Sequence, residues 1–115
     1  MTWQTLVSAE QVADRLGDPR LLVFDCRYEL ARPEAGREAY LRGHLAGAIH
    51  ADLHHDLAGP TSPTSGRHPL PDPQVFAARL RRWGVDDDSL LLAYDDATSM
   101  WASRFWWMTA KWLGH

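Results

Sequence analysis

Two apolar runs constrain the fold of this chain most. Leu21-Leu22-Val23-Phe24 and Leu90-Leu91-Leu92-Ala93-Tyr94 are nearly unbroken hydrophobic segments of strand length. A strand with one wet face alternates polar and apolar residues, so a continuous run reads as a strand covered on both sides. That favours a parallel sheet flanked by helices. Ala48-Ile49-His50-Ala51-Asp52-Leu53 is a third, shorter strand candidate. The three runs each feed a helical pattern, which makes the expected class α/β. A chain of 115 residues forms one domain at most.

The helices announce themselves by their caps. Ser8-Ala9-Glu10-Gln11 has the form of a capping box, with Leu6 or Val7 as the apolar staple. Val12 and Leu16 share a face, and Gly17-Asp18-Pro19 ends the first helix. A second helix is expected through Glu34–Leu41, although Gly36 weakens it. Asp72 and Pro73 suit the N-cap and first position of a third helix, with Val75, Phe76, Leu80 and Trp83 on its buried face and Gly84 at its end. After the turn Asp86-Asp87-Asp88 and the last apolar run, Thr98 or Ser99 is expected to cap a fourth helix reaching about Leu113. Trp101, Phe105, Met108 and Trp112 then form one apolar face, widened by Trp106 and Trp107. Such a helix is buried or faces another domain; a base-stacking platform is the alternative, but no basic field accompanies it.

Several functional classes are excluded. Twelve basic and fifteen acidic residues leave a formal net charge of −3, so no electrostatic footprint for nucleic acid exists. No apolar stretch approaches the roughly 18 residues needed to span a membrane. Met1-Thr2-Trp3-Gln4 does not open a secretory signal, which makes the cytoplasm the default compartment. One cysteine excludes an internal disulfide framework and a cysteine-rich metal site. Phosphate-loop and dinucleotide glycine patterns are absent.

Candidate sites remain. The loop Asp95–Ser99 joins a buried strand to a helix N-terminus, where free N–H groups hold anions, but its own carboxylates compete for that position. Capping and solvation are the expected roles. Cys26 ends a strand with nothing to lower its pKa, so buried packing is expected rather than nucleophilic chemistry. His50, His54 and His55 lack a metal-binding motif. Arg67 and His68 lie in the proline-rich loop Gly59–Pro73, where they either orient a small anion or sit at the surface. A loop of this length is functional or disordered, and the five prolines favour the first.

Taken in order, several stretches resemble the first domain of two-domain rhodanese-like sulfurtransferases, the thiosulfate and 3-mercaptopyruvate sulfurtransferases. They are Leu6-Val7-Ser8, Val23-Phe24-Asp25-Cys26-Arg27-Tyr28, Gly36 through Ala48, Asp52-Leu53, Thr61-Ser62-Pro63, His68-Pro69-Leu70-Pro71, Tyr94-Asp95, Arg104 through Met108 and Leu113-Gly114-His115. One departure is Ala46, where that family usually carries proline. The resemblance implies a catalytically silent domain, with Asp95 at the position that an active domain gives to its cysteine. His68, with Arg67, is placed on the substrate side. Asp25, Arg27, His44 and Arg104 are structural. The active cysteine of such an enzyme lies in its second domain, where it carries sulfane sulfur as a persulfide. Implied partners are a small anionic sulfur donor, a thiol, thioredoxin or cyanide acceptor, and the second rhodanese domain. No cofactor or metal is implied. By this reading residues 1–115 are a partial rhodanese-like domain, lacking the family's final strand and helix, and are inactive alone. They would be a fragment of a longer protein, a complemented piece or a self-associating short chain. A noncatalytic binding or scaffold module is the alternative function.

Overall fold

The computed structural model describes residues 5–115; the secretory-signal reading of Met1–Gln4 lies outside them. Three parallel strands form the sheet: β1 (Leu21–Asp25) in the centre, β2 (Ile49–His50) on one side and β3 (Leu90–Tyr94) on the other. Helices α1 (Ala9–Arg15), α2 (Ala35–Arg42) and α3 (Pro73–Arg82) connect or precede them. After β3 the chain forms α4 (Ala102–Trp106), which runs directly into the wider-wound helix α5 (Trp107–Trp112). The α/β architecture is that expected from the apolar runs.

The local signals act as read. Ser8 accepts from the Gln11 N–H and the Gln11 side chain answers the Ser8 N–H, closing the capping box. Leu6, however, is 82% exposed and staples nothing. Asp72 accepts from Gln74 and Val75 to start α3, with Pro73 at its first turn. Phe76 and Leu80 of α3 are buried and Trp83 packs beside them, whereas Val75 turns outward.

The largest apolar cluster lies on the Phe24 face of the sheet, and Val23 and Asp25, which point the other way, are buried as well. Phe24 is fully buried, with Phe105 of α4 at 4.5 Å and Trp83 at 5.4 Å between ring centroids. Cys26, Phe76, Leu80 and Met108 join it, so the apolar face expected of the Trp-rich helix is the face that packs. Trp101 and Trp112 sit at its margin. Fully burying side chains of this size stabilises a fold by about 1.5–3 kcal/mol each.

Three expectations change. The second strand is two residues long rather than six, because pairing ends one rung after His50, where the Ala51 N–H donates to the Asp25 carbonyl. The Asp52 carbonyl then accepts from Asp56 and Leu57 and turns the chain away. Gly36 does not weaken α2 but permits it: a Cβ there would lie 1.9 Å from the Arg27 carbonyl oxygen. The last helix reaches Trp112, yet its second half is π-helical. The Thr109 hydroxyl donates to the Phe105 and Trp106 carbonyls, competing with the ordinary backbone ladder where the winding changes.

Candidate functional site

Asp25 and Tyr94 end adjacent strands in direct register, so their side chains emerge on the same face. Asp25 is fully buried and meets Arg27, whose Nε and Nη2 donate to both carboxylate oxygens at 2.6–3.1 Å. The Arg27 N–H and the Tyr94 hydroxyl add bonds of 3.0 Å each. Burial pushes the Asp25 carboxyl up, but the donors from Arg27 and Tyr94 outweigh it and hold the group below its ordinary value. Arg27 also donates to the Gly43 carbonyl and the Leu45 N–H donates to Tyr94, tying this network to the turn before β2. His44 stacks on Tyr40 at 3.8 Å, with Nδ1 2.7 Å from the Tyr40 carbonyl.

Asp95, just past β3, is held quite differently. Oδ1 accepts from the N–H groups of Ala97 and Ser99 at 2.9 Å each. Oδ2 accepts from Trp101 and Ala102 at 2.8 Å each. The carboxylate therefore occupies a cradle of four backbone donors at the start of α4. Burial raises its pKa and the four donors together more than offset that, leaving it below the usual carboxylate range. The loop folds tightly around the charge, and Thr98 and Ser99 take positive φ values of 53° and 68°. Each such residue outside glycine costs about 1–2 kcal/mol. Thr98 and Ser99 thus do not cap the helix as expected; Asp95 does, from farther back in sequence.

Cys26 is 1% exposed. Burial first, then the nearby Asp25, Asp95 and Asp56, push its thiol far above the ordinary range. A thiol kept protonated in this way is a poor nucleophile.

The proline-rich loop is held in place by Arg104. Its guanidinium donates to the carbonyls of Leu57 (2.7 and 3.2 Å), His68 (3.0 Å) and Pro69 (3.3 Å). The Gly59 N–H donates to Pro69 at 2.8 Å, closing the loop at its base. His68 sits half-buried on this frame, while Arg67 is exposed. Burial, then the positive Arg104, lower the His68 pKa and favour the neutral imidazole.

Aromatic contacts connect these parts. Tyr28 stands edge-on to Trp101 at 5.4 Å and to His68 at 5.9 Å, and His68 meets His54 at 6.0 Å. One row thus runs from the Asp95 cradle to the proline-rich loop. Tyr28, Trp101 and His54 were not expected in it. The alternation of Phe24, Cys26 and Tyr28 is the signal for Tyr28 alone, since the other two arrive from distant segments. The buried Nε1 of Trp101 has no hydrogen-bond partner. Of the other histidines, His50 stacks on Tyr40, and His55 stands edge-on to His54 at 5.1 Å while pairing with Asp52 at 2.9 Å. Among the described residues no three metal-ligating side chains converge.

Comparison with known proteins fits this geometry. The rhodanese-like domain profile matches residues 8–115. A Pseudomonas aeruginosa protein named probable 3-mercaptopyruvate sulfurtransferase is 44% identical over 115 residues, covering 99% of this chain and 40% of the relative. The 3-mercaptopyruvate sulfurtransferase of Escherichia coli K12 is 37% identical over 109 residues, covering 93% and 37%. Among solved structures, the Leishmania major 3-mercaptopyruvate sulfurtransferase superposes with a TM-score of 0.82 at 34% identity, over 91% of this chain and 29% of that one. The chain thus spans about two fifths of the curated relatives it matches. No described helix is long and apolar enough to cross a membrane. In sequence and in fold, the chain belongs to the rhodanese-like domain family.

Proposed function

We propose that this chain is the first, catalytically silent domain of a sulfurtransferase that moves sulfane sulfur from thiosulfate or 3-mercaptopyruvate to an acceptor. The observation that carries this reading is Asp95. A loop of inward-pointing N–H groups suits an anionic sulfur or its leaving group, and here the chain's own carboxylate takes all four donors. Asp95 cannot carry sulfur as a persulfide, and Cys26 is buried in the core. The names of the relatives support the reaction class.

In this reading the active cysteine belongs to a second rhodanese domain of the full protein. Its thiolate attacks the outer sulfur of thiosulfate, breaking the S–S bond and releasing sulfite, or the single sulfur of 3-mercaptopyruvate, breaking the C–S bond and releasing the pyruvate enolate, which takes up a proton. Either way a persulfide forms. A thiol, thioredoxin or cyanide then attacks the terminal sulfur and restores the thiolate. The present domain supplies one wall of that site. Neutral His68 offers hydrogen bonding to a substrate carboxylate or a water beside it, and Arg67 adds positive charge. Asp25, Arg27, His44 and Arg104 hold the wall in shape. The compartment proposed is the cytoplasm.

The test is to load the full-length protein with 3-mercaptopyruvate or thiosulfate and map the persulfide by peptide mass spectrometry. The modified cysteine is expected outside residues 1–115, with Cys26 unmodified and Cys26→Ser fully active. A persulfide on Cys26, or loss of transfer in Cys26→Ser, would overturn the assignment. A full-length protein with no persulfide and no transfer would instead favour a noncatalytic binding module.

A further inference from the structure

A cleft of about 130 Å³ opens beside the Asp95 loop, lined by Arg27, Tyr28, Glu29, Arg32, Asp96, Arg42 and the small residues of α2. Ala35, Ala39 and Arg42 follow one another at helical spacing on one face of α2. The two alanines leave space, and Arg42 closes the end. Gly36 lets α2 approach the Arg27 carbonyl, which keeps the cleft narrow.

Its arginines differ in what they have left to give. Arg32 is paired with Glu34 and Glu38. Arg27 commits Nε and Nη2 to Asp25 and Gly43, while its Nη1 makes none of these bonds. Among the described residues, Arg42 forms no ion pair with a carboxylate. The lining carboxylates Glu29 and Asp96 are exposed, as Arg42 is, and Asp96 acts on Arg27 from across the cleft. Among the described residues, the donors at the cleft without a hydrogen bond include Nη1 of Arg27 and the Arg42 guanidinium, with Glu29 and Asp96 beside them.

We propose that this cleft is a second anion site, separate from the substrate wall around His68, for a small oxyanion of sulfate size. Two guanidinium groups set at one narrow cleft suit an oxyanion, whose oxygens accept charge-assisted bonds from planar N–H pairs. The cleft is small beside the sites of drug-sized molecules, which run to about 300–1,000 Å³. The position, past the C-terminal end of β1, is where open α/β sheets place ligands.

The test titrates the full-length protein with sodium sulfate, against sodium chloride at matched ionic strength. The Arg27 and Arg42 side-chain signals and the Gly36 amide are followed by NMR. Saturable shifts with sulfate alone are expected, and Arg42→Ala should raise the Kd about tenfold or more. Arg42 is exposed, so this variant keeps its fold. Shifts that never saturate, that chloride reproduces, or whose Kd is the same in Arg42→Ala would overturn the site. The readout does not involve sulfur transfer, so its failure leaves the proposed activity standing.

Discussion

Asp25 and Asp95 stand at the ends of neighbouring strands, and each is a buried or half-buried carboxylate with a lowered pKa. They differ in what answers the charge. Asp25 has a dedicated cation two residues on, fixed by the backbone that also fixes the aspartate. Among the described residues no cation pairs with Asp95; four peptide N–H groups hold it, and the loop bends into left-handed conformations to bring them there. The first arrangement is a structural bolt. The second is an anion site with a built-in occupant, and the proposed silent-loop role of Asp95 rests on that difference.

The largest expected effect breaks the bolt. Asp25→Ala leaves Arg27 with no counter-charge and Tyr94 with no acceptor, and should cost about 3–5 kcal/mol, read as a lowered urea midpoint. Asp95→Ala should cost less, about 1–2 kcal/mol, because it removes a helix cap rather than one half of an ion pair. A loss at Asp95 equal to that at Asp25 would contradict the distinction. The pH dependence follows the same line. Both carboxyls titrate below their unfolded value when folded, so each contributes stability that is complete above about pH 4. That stability is lost as pH falls through the folded-state value. Asp95→Asn should flatten the acid limb of a stability–pH profile without moving stability at pH 7 as far as Asp25→Asn does.

The sequence displays one of these arrangements and conceals the other. Arg27 lies two residues from Asp25, within reach of the same strand end, and the resemblance marks both as structural. Asp95 reaches forward seven residues to Ala102, beyond the window in which a cap is sought. Thr98 and Ser99 were therefore the natural expectation for the helix start. The capping box at Ser8 and the Asp72-Pro73 start are legible because cap and helix are adjacent. The row Trp101–Tyr28–His68 joins three distant segments and leaves no local trace. Likewise, Val75 fits the apolar spacing of α3 yet is 55% exposed, because what faces a helix is set by tertiary packing.

Arg104 sharpens the contrast between fixed and adaptable regions. Arg104→Lys keeps the charge but cannot reach three carbonyls with one planar group. Protease cleavage within residues 59–73 should rise several-fold while the sheet stays folded. The smallest effect is expected at Ala46, where the family's usual residue is proline. Gly47 has φ +78°, and the Ala48 N–H closes the turn onto Leu45 at 2.9 Å. Proline suits the position before such a glycine, so Ala46→Pro should stabilise the chain by about 0.4–1 kcal/mol, seen as a raised Tm.

The most direct test of the central claim is a carboxyl-carbon NMR titration of Asp95 in the wild-type protein, with the backbone amides followed in parallel. A pKa below the ordinary carboxylate value is expected, with the Ala97, Ser99, Trp101 and Ala102 amide signals titrating together with the carboxyl. An unshifted carboxyl, or amides that ignore its titration, would mean that Asp95 does not fill the cradle.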